Sequence, residues 1–236
     1  MKKLLVLIFG ILFSLPLFSQ LEDTQKLIVA VAGGWNDSTG TMYLFDKLPT
    51  GWKRVEAPWS VSFGRNGLAW GEGLHHTPSV ELEKTEGDKR SPAGIFELGA
   101  LYGLAETAPE GVRYPYQKIT PLTRCVDDQQ STVYNMIVEE DSTAKDWQSH
   151  EEMSNIDPDY KFVLVVQHNP KRKRGKGSCI FLHINNIPTS GCTAMDEANM
   201  ITLLRWLDPD KRTLLVQLPR STYTLFQQQW ELPSLN

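Results

Sequence analysis

The chain has few cysteines and no excess of basic residues. Its three cysteines, Cys125, Cys179 and Cys192, are too few for a fold built on disulfides. In an oxidising compartment an odd number leaves at least one thiol unpaired, which makes that thiol a candidate reactive group. Cys125 and Cys179 are one candidate pair, which the sequence does not establish. The net charge of −4 argues against nucleic acid as a partner and favours a discrete substrate.

The N-terminus lacks an apolar run long enough to span a membrane. Residues 1–3 carry two lysines, residues 4–17 are almost uninterruptedly apolar, and Ser19 supplies a small residue at a plausible cleavage point. This is the pattern of a secretory signal peptide, and the run is shorter than the ~20 residues of a membrane-spanning helix. We predict a signal peptide at residues 1–19 and one exported domain at 20–236, with no stable membrane span after cleavage. An uncleaved N-terminal anchor is the alternative.

The rest of the chain has no internal repeat or interdomain linker, and its pattern favours strands. Short β-branched and aromatic runs alternate with turn signals such as Pro49-Thr50-Gly51. The predicted strands are residues 26–32, 41–45, 52–55, 59–63, 133–139, 161–167, 178–184 and 213–218. The fold class expected is mainly β with one or two helices.

One long helix is predicted at residues 193–207 and a second, weaker one near 145–154. Apolar residues recur three apart along the first: Met195, Ala198, Ile201, Leu204 and Leu207. Thr193 and Asp196 resemble a capping pair, and Pro209 ends the helix. The basic residues 169–177 join two apolar strands, and a solvated hairpin loop is the expectation. A patch that binds nucleic acid or another anionic polymer is its functional alternative.

Cys192 and His183 are the candidate catalytic residues. A strand ends near His183, a short loop follows, and Gly191-Cys192 opens the predicted helix. Backbone N–H groups and the helix dipole at such a position favour a thiolate and can stabilise an oxyanion. An imidazole can accept the thiol proton. The structural alternative is a cysteine that serves as a small buried hydrophobe beside a core histidine.

A metal site is the other alternative for these side chains, with Cys179 and His168 as further ligands. Cys179 and His183 are four residues apart on a predicted strand, which separates them by roughly 13 Å. Zinc ligands lie ~2.0–2.3 Å from the metal, so one ion does not reach both. We therefore predict no metal ligands.

Two blocks of sequence resemble the L,D-transpeptidase catalytic (YkuD-type) family. Residues 177–195 are similar to its active-site signature, in which a strand-borne histidine precedes a [Ser/Thr]-x-Gly-Cys loop. Residues 86–96 are similar to its Gly-Asp-x-x-[Ser/Thr]-Pro-x-Gly stretch. Weaker matches lie at residues 64–67, 127–135 and 203–209, so the resemblance extends over about 27–218.

The resemblance implies a β-sandwich-like catalytic fold and acyl transfer on peptidoglycan stem peptides, without a cofactor. Cys192 matches the nucleophile that forms a thioester, and His183 matches the general base. Thr189, Ser190 and Gly191 match the loop that shapes the oxyanion site. The expected reaction cleaves the L,D-peptide bond after the third residue of a tetrapeptide stem and passes the acyl group to an amine of another stem.

Four further residues are expected to bind substrate. Tyr134 and Asn135 end one of the weaker matching segments. Trp147 and His150 are expected to line the site from a lid, with a surface helix as the alternative. The nearby pair Asp127–Asp128 is expected in a turn rather than in catalysis.

The chain departs from the common family pattern at three positions. Ser190 replaces a common histidine, Ala194 a common arginine, and Ile184 a common glycine. These changes leave open which molecule accepts the acyl group and which stem peptide is the substrate. An L,D-carboxypeptidase or cross-link hydrolase would use water at the same site, and a non-catalytic wall-binding module would use neither acceptor.

Overall fold

The computed structural model describes residues 21–76, 82–156 and 158–235. The predicted signal peptide at residues 1–19 lies outside the described residues. The strands are β1 Lys26–Ala32, β2 Thr39–Leu48, β3 Gly51–Arg54, β4 Trp59–Ser62, β5 Leu68–Trp70, β6 Ser91–Gly103, β7 Tyr116–Lys118, β8 Thr123–Cys125, β9 Ile137–Glu139, β10 Glu151–Glu152, β11 Val163–Val166, β12 Phe181–Ile184, β13 Thr193–Met195 and β14 Thr213–Pro219. The helices are α1 Glu197–Trp206 and α2 Arg220–Phe226, and Met153–Asn155 forms a 3-10 turn.

The larger of two sheets closes on itself. Its pairings run from β1 through β14, β6, β11, β12, β13, β4 and β2, and β2 pairs again with β1. Strand β3 pairs with β2, and β5 and β7 pair with β6. Because side chains alternate between the faces of a strand, such a ring has an inner face that side chains can fill. The prediction of a single, mainly β domain is confirmed.

Strand β1 illustrates how the apolar runs produce the core. All seven of its residues are buried, and it lies between parallel β14 and antiparallel β2. A strand covered on both faces is expected to be a continuous β-branched apolar run rather than an alternating one. Strand β14 has the same fully buried pattern. The strands predicted at residues 26–32 and 213–218 are therefore confirmed.

The strand predicted at residues 133–139 is wrong over its first half. Only Ile137–Glu139 forms a strand, as β9. Asn135 has a φ of 60° and returns its backbone N–H to the Val126 carbonyl. A left-handed residue in a turn does not continue a strand, so the apolar residues before it do not pair.

The helix predicted near residues 145–154 is also wrong. This segment has no regular helix; it ends in β10 and the 3-10 turn. Its buried apolar side chains are Trp147 and Met153, six positions apart. Neighbours on one helical face are three or four positions apart, so this pair does not mark a helix.

The long helix begins later than predicted. Thr193–Met195 is the fully buried strand β13, which pairs with β12 and β4. Helix α1 follows with Asp196 at its N-cap and buries Met200, Leu203 and Leu204. The three residues of β13 are buried on both faces, which favours a strand. They were included in the predicted helix because Met195 continues its apolar stripe. No helix in the described ranges is long and apolar enough to cross a membrane.

The basic segment at residues 169–177 joins β11 and β12, which pair antiparallel as a hairpin. Most of its charged side chains are exposed. Lys173 forms an ion pair with Glu72, and Lys176 forms one with Glu83. These contacts fit the expected solvated loop.

A small second sheet, ordered β10-β8-β9, packs beside the ring. A disulfide between Cys125 of β8 and Cys179 ties it to the segment before β12. A second apolar cluster fills this region, formed by Ile119, Cys125, Met153, Tyr160, Val163, Phe181 and Cys192. The second sheet therefore borders Cys192 and the start of β12.

Candidate active site

Cys192 and His183 line the same cavity, which has a volume of about 540 Å³. The loop that connects their strands forms much of the wall. Charged side chains of both signs also line it: Arg65, Lys84, Glu86, Lys89, Asp127, Glu151 and Asp159. The cavity therefore contains a thiol, an imidazole and charged side chains of both signs.

Two adjacent parallel strands bring the cysteine and the histidine together. His183 lies on β12, and Cys192 immediately precedes β13. The register pairs Leu182 with Thr193 and His183 with Ala194. Cys192 therefore sits beside Phe181, whose backbone N–H donates to the Cys192 Sγ over 3.3 Å. His183 follows two residues along the same strand, so its side chain projects to the same face.

Cys192 is a protonated, buried thiol in the resting protein. Its side chain donates to the Cys179 carbonyl over 3.5 Å, and the residue is 9% exposed. Burial raises the pKa of the thiol well above its ordinary range, and the Glu151 carboxylate raises it further. The Phe181 N–H and Lys84 oppose that shift. The predicted position at a helix N-terminus is wrong, because α1 begins only at Glu197.

His183 is held as a neutral base. Its Nδ1 lies 3.1 Å from the Ile184 carbonyl oxygen, so the ring donates Nδ1–H and leaves Nε2 as the acceptor. The ring packs edge-on against Tyr160, with centroids 5.4 Å apart. Burial lowers the pKa of His183 from its ordinary value, and the Ile184 carbonyl and Asp159 partly oppose this. At neutral pH the imidazole is therefore free to accept a proton.

The loop before Cys192 is fixed by hydroxyl groups. The Cys192 carbonyl accepts hydrogen bonds from Thr189 Oγ1 over 2.7 Å and Ser91 Oγ over 2.8 Å. Thr189 Oγ1 also accepts the Gly191 N–H, and Ser91 Oγ accepts the Gly64 N–H. Ser91 belongs to the second sequence block, so the two blocks meet at the backbone of Cys192. Ser190, the remaining loop residue, lines the cavity.

Half-buried Glu151 and buried Tyr160 form a hydrogen-bonded pair at the cavity that was not predicted from the sequence. The Tyr160 hydroxyl donates to Glu151 Oε1, and Tyr160 also packs against His183. Burial and nearby Asp127 raise the pKa of Glu151 to about 7, although the Tyr160 hydroxyl opposes the shift. Glu151 falls within the segment wrongly predicted as a helix, which gave no sign of a cavity position.

The four residues predicted to bind substrate differ in burial and in hydrogen-bond partners. Tyr134 is buried, and its hydroxyl donates to the Glu86 carboxylate. The Asn135 side chain donates to the backbone of the hairpin at residues 168–169 and accepts the Cys179 N–H over 3.0 Å. Trp147 is buried and His150 half-buried. All four lie outside the set of residues that line the cavity with Cys192.

The neighbouring residues Asp127 and Asp128 have different contacts. Asp128 accepts the backbone N–H groups of Gln130 and Gln148, as expected for a turn. Asp127 accepts a hydrogen bond from the Ser149 hydroxyl and lines the cavity. Across residues 21–76, 82–156 and 158–235, no three His, Cys, Asp or Glu side chains cluster as metal ligands would.

The thiol of Cys192 should react slowly with an alkylating agent. Because its pKa is raised, the thiolate fraction at pH 7.5 is small. We expect iodoacetamide to modify Cys192 at least about tenfold more slowly than N-acetylcysteine, since each pKa unit changes the thiolate fraction tenfold. Intact mass against time on the unreduced protein measures the rate. Modification faster than that of N-acetylcysteine would contradict a resting thiol.

The chain matches one family model and is similar to two solved structures. The family model described as YkuD, L,D-transpeptidase catalytic domain, matches residues 35–217. Crystal structures of the helical cell shape determining protein Pgp2 from Campylobacter jejuni and of its K307A mutant share 14% identity with this chain. Their TM-scores are 0.40 and 0.39, with 83% of this chain covered in each case. No curated protein matches.

The chain spans about half the length of the Pgp2 chains, with 48% and 47% of them covered. The family match, by contrast, covers most of this chain. It includes both sequence blocks, the cavity loop, His183 and Cys192. The chain therefore belongs to the YkuD family of L,D-transpeptidase catalytic domains, a family of peptidoglycan enzymes.

Proposed function

We propose that this protein is an L,D-transpeptidase that transfers acyl groups between peptidoglycan stem peptides, with Cys192 as nucleophile and His183 as base. The observation that carries the proposal is their shared cavity. A free thiol and a neutral imidazole project from adjacent strands to one face, beside a loop fixed by hydrogen bonds. A thiol and a neutral imidazole that face one cavity are the two components of a base-activated sulfur nucleophile, which supports the proposal.

The acylation step follows from the protonation states. Cys192 Sγ attacks the carbonyl carbon of the L,D-peptide bond while its proton passes to His183 Nε2. The new C–S bond gives a tetrahedral oxyanion, and the C–N bond then breaks. The imidazolium returns its proton to the leaving amine, so the terminal D-amino acid departs neutral at nitrogen. A thioester on Cys192 remains.

The second step consumes the thioester. An amine from a neighbouring stem attacks the same carbonyl carbon, and neutral His183 accepts a proton from its nitrogen. The C–S bond breaks, the sulfur regains a proton from the imidazolium, and a new amide links the two stems. Water in place of the amine would give an L,D-carboxypeptidase through the same intermediate.

The pH dependence of acylation should reflect a thiol and a neutral imidazole. Burial lowers the pKa of His183 below 6.5 and raises that of Cys192. Because Glu151 has a pKa of about 7 and its carboxylate raises that of Cys192, the profile is measured in Glu151→Gln. We expect kcat/KM for the donor to be flat there from about pH 7 to about pH 9 and to fall in more acidic solution, where His183 binds a proton. An alkaline decline between pH 7 and 8 would instead indicate a resting thiolate–imidazolium pair.

Mass spectrometry of reaction products tests the proposed activity. The purified domain, residues 20–236, is mixed with disaccharide-tetrapeptide beside the Cys192→Ala variant. Cross-linked dimers that have lost one D-amino acid, absent with the variant, are the expected result. Monomeric tripeptide alone would assign the carboxypeptidase reaction. No turnover by the wild-type protein would reject both and leave a wall-binding module.

We further propose that the domain acts in the cell envelope after export by the signal peptide at residues 1–19. The location of peptidoglycan and the sequence pattern of the N-terminus support this. The N-terminal sequence of the protein recovered from the envelope measures it directly. An N-terminus at about residue 20 is expected, and recovery of intact Met1 would reject cleavage.

A further inference from the structure

Lys84 is a buried cation in the cavity that the reaction steps above do not use. It is 3% exposed and lines the cavity together with Cys192. Its Nζ donates to Asp88 Oδ1 over 2.6 Å and to the Thr85 carbonyl over 3.1 Å. An ammonium has three donors, so the hydrogen bonds of the described residues engage two and leave one. Burying a charged lysine is costly, which makes its position here informative.

The Lys84 ammonium lies beside the backbone that precedes the nucleophile. Its Nζ is 3.9 Å from the position that a Cβ atom would take at Gly191. It also opposes the shift that burial imposes on the pKa of Cys192. The cation therefore lies close enough to influence charge on the sulfur and at the oxyanion loop.

The surroundings of Lys84 hold the ammonium in place. Asp88 accepts the Thr85 and Arg90 backbone N–H groups as well as the lysine, which fixes the carboxylate. The lysine stem fills the space beside Gly177, where its Cε lies 3.1 Å from an ideal Cβ position. A preorganised charge of this kind stabilises a transition state without having to reorient during the reaction.

The other ionisable groups near Cys192 do not supply this positive charge. Glu151 is acidic, Tyr160 donates to it, and His183 is neutral before the reaction. Arg65 and Lys89 line the same cavity but are exposed, where water weakens their effect. The helix N-terminus predicted for this role begins five residues after Cys192.

We propose that Lys84 stabilises the negative charge that develops on the Cys192 sulfur and on the carbonyl oxygen of the bound peptide. The second part rests on the proposed acyl transfer. Lys84 thereby replaces the helix dipole that the sequence predicted. Its remaining N–H donor serves the oxyanion beside Gly191, where low exposure strengthens electrostatic interactions.

The test compares iodoacetamide alkylation of Cys192 against pH in the wild type and in Lys84→Met. Loss of the cation should raise the apparent pKa of the thiol by about one unit, which slows alkylation at a fixed pH about tenfold. Turnover of the donor peptide should fall about 10- to 100-fold in kcat, with little change in KM, because the charge develops only during the reaction.

Two further variants make the result decisive. Lys84→Met/Asp88→Asn removes both charges, so the fold is spared an unpaired buried carboxylate, and the same direction of shift is expected. Lys176→Met removes an ion-paired lysine that lies outside the residues lining this cavity, and it should leave alkylation unchanged. Wild-type alkylation in both Lys84 variants would overturn the proposal.

Alkylation needs no substrate, so this test is independent of the proposed enzymatic activity. A wild-type protein without turnover would reject the transpeptidase while the alkylation rates still decide whether Lys84 stabilises the thiolate. Normal alkylation in the Lys84 variants, with Cys192-dependent turnover intact, would reject Lys84 alone.

Discussion

Replacing His183 with asparagine should lower kcat/KM for the donor peptide by about 10³-fold. The asparagine amide can still donate to the Ile184 carbonyl, as Nδ1–H does now. It has no counterpart of Nε2, so the thiol proton has no acceptor. Because the pKa of Cys192 is raised, loss of the base is not compensated by a standing thiolate population.

The matched control for this variant is His76→Asn. His76 is exposed and lies outside the residues that line the Cys192 cavity. It should retain wild-type turnover, and thermal unfolding should show both variants folded. A His183→Asn protein that is folded and turns over the donor within about threefold of wild type would remove His183 from the mechanism.

Loss of the disulfide should have the largest effect on stability. Cys125 and Cys179 are separated by 54 residues, and a crosslink closing a loop of that length restricts the unfolded chain by about 4 kcal/mol. For a domain of this size the corresponding fall in Tm is about 10 °C. The bond also anchors Cys179, whose carbonyl contacts the Cys192 thiol, so turnover should fall as well.

Calorimetry of Cys125→Ala/Cys179→Ala beside the oxidised wild type measures this effect. Dithiothreitol should lower the Tm of the wild type toward that of the double variant and leave the variant unchanged. Cys192→Ala is the control, because it removes a cysteine without opening the loop. Equal Tm values for oxidised wild type and double variant would contradict a stabilising bridge.

The sequence could place Cys192, His183 and the connecting loop at one site because they lie within one short segment. His183 and Cys192 are nine residues apart, and the strand–loop–cysteine order restricts where they can go. The fully buried strands β1 and β14 could also be predicted from the sequence, because a short β-branched apolar run is typical of a strand covered on both faces.

The structure after Cys192 could not be predicted from periodicity alone. Thr193, Ala194 and Met195 were included in the predicted helix because Met195, three residues before Ala198, extends the helical stripe of α1. They form β13 because β12 and β4 lie on either side, and β4 comes from a distant part of the sequence. Tertiary pairing overrides local preference here, and with it the predicted dipole at Cys192.

The long strand β6 was not predicted from the sequence because of its composition. Its 13 residues include Pro92 and three glycines, which are depleted in strands. Gly94 is required by packing, because a Cβ atom there would lie 1.9 Å from Cε1 of His75. Its strand character depends on neighbours that sequence patterns do not show.

Lys84 and Glu151 were missed for a related reason. Each is a charged residue in a segment whose sequence looks exposed, and each is brought to Cys192 only by long-range pairing. Lys84 lies two residues before the start of the block at residues 86–96, so a lysine beside that block was the available signal. Glu151 gave none, because its position depends on β10 pairing with β8.

The most direct test of the account is detection of the thioester on Cys192. Wild-type protein is mixed with disaccharide-tetrapeptide without an acceptor, quenched in acid within seconds and measured by intact-protein mass spectrometry. The account predicts a mass increase equal to the disaccharide-tripeptide acyl group, located on the peptide that contains Cys192 and absent from Cys192→Ala. Turnover that persists in Cys192→Ala, with no adduct on the wild type, would contradict it.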